Sequence, residues 1–132
     1  MNQAPQRTRR VLVVEDNPLN LQLFVALLRR DGIEVTCAPS VGQGIARLDE
    51  GPFDLVLLDL HLGHESGEVV LREIRQRERL AGLPVMALTG SPMRGKRERL
   101  LALGFDDFVS KPIEVDSFRE RVANLLAAAD RL

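Results

Sequence analysis

Five polar side chains lie at or just after the ends of short apolar segments of this sequence: Glu15, Asp16, Asp59, Thr89 and Lys111. Carboxylates bind hard metal ions, while a hydroxyl and an ammonium group can neutralise the oxygens of a phosphoryl group. If the fold brings the five together, the set has the chemistry for transferring a phosphoryl group to a carboxylate.

Three of these side chains would repel one another in a shared pocket. At about 4 Å and an effective dielectric of about 20, each pair among Glu15, Asp16 and Asp59 costs about 4 kcal/mol. A divalent cation relieves this repulsion, and an oxygen-only ligand set suits Mg²⁺, which keeps several of its waters. We therefore predict a magnesium site, with Lys111 at its rim to balance the remaining charge.

Taken singly, each residue also has an ordinary structural interpretation. Acids before a helix often stabilise its dipole, as Glu15 and Asp16 would, and Asp59 could serve the turn that follows it. Thr89 could be a turn hydroxyl and Lys111 a solvated loop cation. Only the convergence of all five at one site favours chemistry over local structure.

The alternation of apolar and amphipathic segments predicts the elements that would bring the five residues together. We expect β-strands over residues 11–14, 33–37, 53–58, 84–88 and 108–109. We expect α-helices over residues 18–31, 41–48, 66–80, 92–103 and 115–129. This order indicates an α/β fold, a doubly wound five-stranded parallel sheet with helices on both faces. The carboxyl ends of such strands meet at one edge, where the functional site lies.

Length, charge and cysteine content exclude several classes of protein. The 132 residues suffice for one domain, expected over residues 10–130 after a disordered tail over residues 1–9. A net charge of −1 argues against nucleic-acid binding. The single cysteine, Cys37, excludes an internal disulfide, and no apolar run approaches the roughly 20 residues that span a bilayer. We therefore expect a cytoplasmic protein without membrane insertion. Three arginines are expected to be solvated at the tail: Arg7, Arg9 and Arg10.

Four short motifs hold the five polar residues: Val13–Pro18, Leu57–Leu60, Ala87–Gly90 and Ser110–Pro112. Through these motifs and their spacing, the chain resembles the receiver domain of two-component response regulators, in the CheY-like superfamily, over about residues 10–128. It is most similar to single-domain cell-division regulators of the DivK type. The resemblance implies a flavodoxin-like sheet with the strand order 2-1-3-4-5.

The resemblance also implies a role for each acidic residue. Asp59 would be the phospho-acceptor. Asp16 and Asp59 would bind Mg²⁺ directly, together with the backbone carbonyl of His61. Glu15 would help to place the metal through water.

The remaining residues of the set would contact the phosphoryl group and form a switch. Thr89 and Lys111 would contact the phosphoryl oxygens, and the Lys111–Pro112 peptide bond would be cis. Phe108 matches the rotating aromatic position of the last strand, and with Thr89 it would form the switch. Since Phe108 lacks the hydroxyl of the tyrosine that is frequent there, the switch must work by packing alone.

Three further positions depart from the family's pattern. Leu62 and Gly63 stand where Met-Pro is usual, which allows the same turn but stiffens it less. Gly90 replaces a common alanine and leaves more room beside the site. These departures bear on loop rigidity and phosphoryl access, not on the chemistry itself.

The first predicted helix carries two sets of apolar residues. Phe24, Leu27 and Leu28 lie at helical spacing and should pack on the sheet. The residues of the second set lie off that face and are predicted to dock a kinase's helical bundle: Leu19 and Leu23, together with Asn20 and Ile113. Incidental surface leucines are the alternative.

Other polar residues near the site have less specific interpretations. The basic residues of the fourth predicted helix form either a solvated face or part of a surface that changes on phosphorylation: Arg94, Lys96, Arg97 and Arg99. His61 and Ser91 would influence water attack on the phosphoryl group. His61 and His64 are too few for a zinc site.

The resemblance implies a protein that is not a conventional enzyme. It would catalyse its own phosphorylation from a sensor histidine kinase or a histidine phosphotransfer protein, and its own dephosphorylation. It would act on a downstream protein target, with a phosphorylation-dependent homodimer as one form of output. The starting methionine and short ends favour a stand-alone protein over a receiver excised from a hybrid kinase.

Three other interpretations stay open at this stage. A degenerate receiver would bind partners without phosphorylation, although the acidic set is intact. A flavin- or nucleotide-binding domain would need a phosphate cradle after the first strand, where Glu15 and Asp16 stand instead. A metal-dependent phosphohydrolase would need a second acid beside Asp59, which Leu60 and His61 do not supply.

Overall fold

The computed structural model describes residues 7–90 and 95–129. The strands within these residues, in chain order, are β1 (Arg10–Val14), β2 (Glu34–Ala38), β3 (Leu55–Asp59), β4 (His61–Leu62), β5 (Glu65–Ser66), β6 (Val85–Thr89) and β7 (Asp107–Ser110). Five of them form a parallel sheet in the order β2-β1-β3-β6-β7, and β4 and β5 form a separate antiparallel hairpin. The predicted order 2-1-3-4-5 is confirmed, since the hairpin strands lie outside the parallel sheet.

Helices cover both faces of the sheet, which confirms the predicted fold class. They are α1 (Pro18–Arg30), α2 (Val41–Arg47), α3 (Glu68–Gln76), α4 (Lys96–Leu103) and α5 (Val115–Ala129). Single turns of 3₁₀ helix follow α2 and α3, at Leu48–Glu50 and Glu78–Leu80. Helices α1 and α5 pack on one face, and α2, α3 and α4 pack on the other.

The strands divide the core into two halves because their side chains alternate between the two faces. In β3, Val56 and Leu58 point to the α2–α4 half, whereas Leu55 and Leu57 point to the α1–α5 half. All four are fully buried, as expected of a central parallel strand. Phe24, Leu27 and Leu28 of α1 are buried in the second half as predicted.

Two predicted helices begin later than the sequence pattern indicates. Helix α3 starts at Glu68 rather than residue 66, because β5 extends through Ser66. Helix α4 starts at Lys96, because Gly95 has a φ of 73° and leaves the right-handed helical region. The predicted start of that helix at Pro92 falls outside the described residues.

Helix α3 also ends earlier than predicted. Its last residue is Gln76 rather than residue 80, because Arg77 is extended, with a φ of −86° and a ψ of 118°. The remaining turn, Glu78–Leu80, is a 3₁₀ helix.

The prediction of solvated arginines near the N-terminus is wrong for Arg9 and Arg10, which are half-buried, whereas Arg7 is exposed but paired with Asp54. Arg7 Nη1 donates to Asp54 Oδ2 at 3.0 Å, and the backbone nitrogen of Arg10 donates to the same oxygen at 2.8 Å. Arg9 Nη1 lies 3.9 Å from Asp54 Oδ1. Asp54 is 8% exposed, so these contacts balance a largely buried carboxylate. The domain boundary at residue 10 stays a prediction, since residues 1–6 fall outside the description.

In the described part of the chain, no helix has the length and apolar character needed to cross a membrane.

Candidate functional site

The carboxyl ends of the parallel strands bring the predicted site residues together. Asp59 is the last residue of β3 and Thr89 the last of β6, and these neighbouring strands pair Asp59 with Leu88. Glu15 follows β1 directly, and like Thr89 it is fully buried. Asp59 is 3% exposed. The sheet therefore holds these side chains at one edge, as the topology predicts.

The acidic residues form a compact cluster of oxygens. One carboxylate oxygen from each of Glu15, Asp16 and Asp59 lies within 4.8 Å of the other two. Asp16 is exposed, whereas the other two are buried, so the cluster opens to solvent on one side. Its donors are all carboxylate oxygens, which fit a hard divalent cation such as Mg²⁺. These residues could therefore hold the predicted metal.

Lys111 reaches into this cluster from the end of the last parallel strand. Its Nζ lies 2.7 Å from Asp59 Oδ2 and 2.8 Å from Glu15 Oε1. The backbone nitrogen of Lys111 donates to the carbonyl of Thr89 at 2.7 Å, which anchors the loop beside β6. The Lys111–Pro112 peptide bond is cis, as the resemblance implies.

The electrostatics of the site reflect three acids around one lysine. Burial raises the pKa of Glu15 to about 7, and the adjacent Asp59 adds to this rise while Lys111 opposes it. Burial also opposes the charge on Asp59, but hydrogen bonds from Glu15, Lys111 and the His61 backbone hold its pKa below the usual range. Burial disfavours the Lys111 ammonium, yet contacts with Asp59 and Glu15 raise its pKa above the ordinary value. These contacts therefore favour ionisation of Asp59 over ionisation of Glu15.

The segment after Asp59 forms a short β-hairpin. Strands β4 and β5 pair His61 with Ser66 and Leu62 with Glu65, so Gly63 and His64 form a two-residue turn. Gly63 has a φ of 64°, a conformation that side-chain-bearing residues rarely adopt.

The hairpin also fixes the acidic residues. The Gly63 backbone nitrogen donates to Asp16 Oδ2 at 2.9 Å, and the His61 nitrogen donates to Asp59 Oδ1 at 2.9 Å. The glycine that departs from the family's usual residue therefore provides a contact to the site.

Gly67 closes the hairpin against the site. Its backbone nitrogen donates to the Leu60 carbonyl at 3.0 Å. A Cβ placed on Gly67 would lie 2.0 Å from the Asp59 carbonyl oxygen, well inside van der Waals contact. Only glycine allows the chain to pass this close to the predicted phospho-acceptor.

One contact at the site could not be predicted from the sequence. Lys96 Nζ, at the start of α4, donates a hydrogen bond to Thr89 Oγ1. The sequence does not distinguish Lys96 from the other basic residues of this helix. Whether its side chain reaches Thr89 depends on the residue at which α4 begins. The solvated-face interpretation is wrong for Lys96, which is half-buried, while Arg97 and Arg99 are exposed.

The predicted switch and docking residues lie outside the acidic cluster. Phe108 is half-buried in β7 and packs against the core half under α2, α3 and α4. Leu19 and Leu23 of α1 are 75% and 41% exposed, whereas Asn20 and Ile113 are half-buried. Their roles stay predictions. Ser91 and Arg94, to which the sequence analysis also assigned roles, lie outside the described residues.

Comparisons with known proteins agree with this arrangement. Residues 11–123 match the family described as the response regulator receiver domain. The polar-differentiation response regulator DivK of Brucella ovis is 35% identical over 122 residues, which are 92% of this chain and 99% of DivK. The signal transduction histidine-protein kinase BarA of Escherichia coli is 38% identical over 116 residues, which are 88% of this chain but 12% of BarA.

A solved structure shows the same fold with a metal. The receiver domain of sensor histidine kinase PA1611 from Pseudomonas aeruginosa has a TM-score of 0.82 and 30% identity to this chain. The match covers 92% of this chain and 99% of that domain, whose structure has a magnesium ion coordinated in the active site cleft. From the family match, the identity to DivK and the shared sheet topology, we conclude that this chain belongs to the response regulator receiver domain family.

Proposed function

We propose that this chain is a stand-alone response regulator receiver that accepts a phosphoryl group on Asp59 in a Mg²⁺-dependent reaction. The phosphoryl group comes from a sensor histidine kinase or a histidine phosphotransfer protein, the partners of receiver domains. The observation that carries the proposal is the buried Asp59 carboxylate with Lys111 Nζ at 2.7 Å and two further carboxylates within 4.8 Å. The similarity to DivK over 99% of that protein supports the stand-alone form.

The acidic cluster supplies the ligands for the metal. Asp16 and Asp59 would bind Mg²⁺ directly, together with the backbone carbonyl of His61, and Glu15 would help to place it through water. When bound, the ion neutralises charge on the phosphoryl oxygens during transfer. The magnesium-bound receiver of PA1611 supports this assignment.

In the transfer, a carboxylate oxygen of Asp59 attacks phosphorus and forms an acyl phosphate. The bond from phosphorus to the donor breaks at the same time, and for a phosphohistidine donor the leaving imidazole nitrogen takes up a proton. Lys111 and Thr89 neutralise the phosphoryl oxygens, and burial strengthens both contacts. Water attack on the acyl phosphate later releases inorganic phosphate and restores the carboxylate. His61, two residues beyond Asp59, influences that water attack.

The signal leaves the site through Thr89 and Phe108. Thr89 is fully buried at the end of β6, and Phe108 lies on the neighbouring strand β7, paired with Ala87. A phosphoryl group that draws the Thr89 hydroxyl towards it changes the packing available to Phe108. The altered surface then binds a downstream protein target or a second phosphorylated copy.

A docking surface on α1 receives the kinase or phosphotransfer protein. Leu19 and Leu23 are large apolar side chains that remain exposed on α1, and the half-buried Asn20 and Ile113 complete the proposed surface. A helical bundle that covers them buries apolar area close to the edge of the sheet where Asp59 lies.

A receiver of a hybrid kinase is the second candidate function. The similarity to BarA over 88% of this chain supports it. Family membership favours either receiver form over a flavin-binding domain or a phosphohydrolase, and the intact acidic cluster favours phosphorylation over a phosphorylation-independent role.

Intact mass after incubation with acetyl phosphate tests the proposal. With Mg²⁺ we expect one phosphoryl adduct on the wild type, none on Asp59→Asn, and none on the wild type in excess chelator. Asp49→Asn is the matched control, because Asp49 is exposed and pairs with Arg77 and Arg79 instead of lying in the acidic cluster. An adduct of equal yield on Asp59→Asn would contradict the proposal.

A further inference from the structure

The backbone of Gly63 supplies the hydrogen bond that holds Asp16 in the acidic cluster. Its nitrogen donates to Asp16 Oδ2 at 2.9 Å, and among the described residues no other group donates to the Asp16 carboxylate. Lys111 contacts the other two carboxylates of the cluster, those of Glu15 and Asp59, but forms no ion pair with Asp16. The position of Asp16 therefore depends on the hairpin.

Two effects would draw the Asp16 side chain away from the cluster if this bond were absent. Asp16 is exposed, so other rotamers are open to it and water can solvate them. One of its carboxylate oxygens also lies within 4.8 Å of an oxygen from each of the two buried acids, and like charges at such distances repel. A backbone N–H that donates to Oδ2 offsets this repulsion and favours the rotamer that faces the cluster.

The hairpin fixes the Gly63 nitrogen in the place from which it donates. Gly63 is the first residue of the two-residue turn between β4 and β5. The preceding residue, Leu62, is 4% exposed and packs in the core half under α2, α3 and α4. Glycine adopts the φ of 64° at this turn without strain. Proline, which the family's pattern has here, could not donate, because it has no backbone N–H.

We propose that Gly63 is a positioning residue for the metal site. Its N–H preorganises Asp16, so that the carboxylate faces Glu15 and Asp59 before any ion binds, and Mg²⁺ is held more tightly than by an aspartate that samples several rotamers. A carboxylate oxygen can accept this bond and keep a lone pair for a metal. The inference rests on the proposed function and gives the hairpin glycine of this chain a role in metal affinity.

Comparison of Gly63→Val with Gly32→Val tests the inference. Gly32 also has a positive φ, 79°, and an added Cβ meets no atom within 4 Å at either glycine. Valine therefore strains the two turns in the same way. Gly32, however, lies between α1 and β2 at the amino edge of the sheet, where its nitrogen donates to the Arg29 carbonyl. We expect both variants to lose similar stability in urea unfolding.

The first measurement is the rotamer of Asp16 in the metal-free protein, from the NMR three-bond couplings that report its χ1 angle. We expect a single rotamer in the wild type and in Gly32→Val, and averaging over rotamers in Gly63→Val. Gly63→Ala and Gly32→Ala, which strain the backbone less, repeat the comparison if a valine variant does not fold.

The second measurement is the affinity for Mg²⁺, from the shifts of backbone amides during titration. Gly63→Val should bind Mg²⁺ about tenfold more weakly, the lower end of the range for a lost hydrogen-bonding partner of a metal ligand. Gly32→Val should bind it as the wild type does.

Four results would overturn the inference. Three of them are rotamer averaging of Asp16 in the wild type, unchanged Mg²⁺ affinity in Gly63→Val, and an equal loss of affinity in Gly32→Val. The fourth is a loss in Gly63→Val while Asp16 keeps one rotamer, because the effect would then come from elsewhere in the hairpin, such as the His61 carbonyl. None of these would affect the proposed function, which fails, together with the inference, if the wild type binds no Mg²⁺ or forms no acyl phosphate.

Discussion

Gly67→Ala should both destabilise the protein and slow its phosphorylation. The new Cβ would lie 2.0 Å from the Asp59 carbonyl oxygen and 3.0 Å from its carbon. That carbonyl belongs to β3, which is held on both sides by β1 and β6, so it cannot move aside freely. The start of α3 must shift instead, and the bond from Gly67 to the Leu60 carbonyl is strained or lost.

The expected cost follows from these two effects. Overpacking of a fixed backbone costs about 1–3 kcal/mol, and the lost hydrogen bond adds about 1 kcal/mol. We therefore expect Gly67→Ala to lower the free energy of unfolding by about 2–4 kcal/mol, a large share of the about 5–15 kcal/mol typical of a domain. The shift should also disturb the hairpin, whose His61 nitrogen donates to Asp59 Oδ1, and so slow phosphorylation by acetyl phosphate.

Urea unfolding followed by far-ultraviolet circular dichroism measures the loss, because the chain has no tryptophan or tyrosine to report by fluorescence. Gly42→Ala is the matched control, since a Cβ there has no atom within 4 Å and lies inside α2. That variant should gain about 0.5–1 kcal/mol from helix propensity. A Gly67→Ala protein that is as stable as Gly42→Ala and is phosphorylated normally would refute the reasoning.

Two further predictions concern the α1 surface and the buried carboxylate near the N-terminus. Leu23→Asp should slow phosphotransfer from the cognate kinase but leave phosphorylation by acetyl phosphate intact, and equal loss with both donors would count against a docking surface. Asp54→Asn should lower the stability at pH 7 by about 1 kcal/mol, measured by urea unfolding. Burial opposes the charge of Asp54, but Arg7 and the Arg10 backbone hold its pKa below the ordinary 3.8. The pKa of Asp54 is thus lower in the folded protein. The wild type should therefore keep its full advantage in free energy of unfolding over Asp54→Asn above pH 3.8, and this advantage should disappear as the pH falls through the pKa of the folded state. A difference that persists at lower pH would contradict this.

The sheet and its acidic edge could be predicted from the sequence because strong local signals specify them. Apolar runs such as Leu55–Leu58 specify buried parallel strands, and a carboxylate or hydroxyl comes directly after each run in the sequence. Parallel topology alone then brings Glu15, Asp59 and Thr89 together, without any need to know side-chain packing.

The features that could not be predicted depend on tertiary closeness or on turn chemistry. The hairpin after Asp59 depends on a positive φ at Gly63. A single glycine in a polar segment is not enough to predict that conformation. The contact of Lys96 with Thr89 depends on where α4 begins. Arg7 and Asp54 are 47 residues apart in the sequence, so nothing local links them.

Locating the phosphoryl group in the sequence tests most directly whether Asp59 is the phospho-acceptor. Protein phosphorylated with acetyl phosphate and Mg²⁺ would be treated with borohydride, which reduces an aspartyl acyl phosphate to homoserine, and its peptides analysed by mass spectrometry. We predict homoserine at position 59 and at no other position, with none when Mg²⁺ is chelated. A phosphoryl group on His61, His64 or another carboxylate, with Asp59 unmodified, would contradict the assignment of Asp59 as the phospho-acceptor.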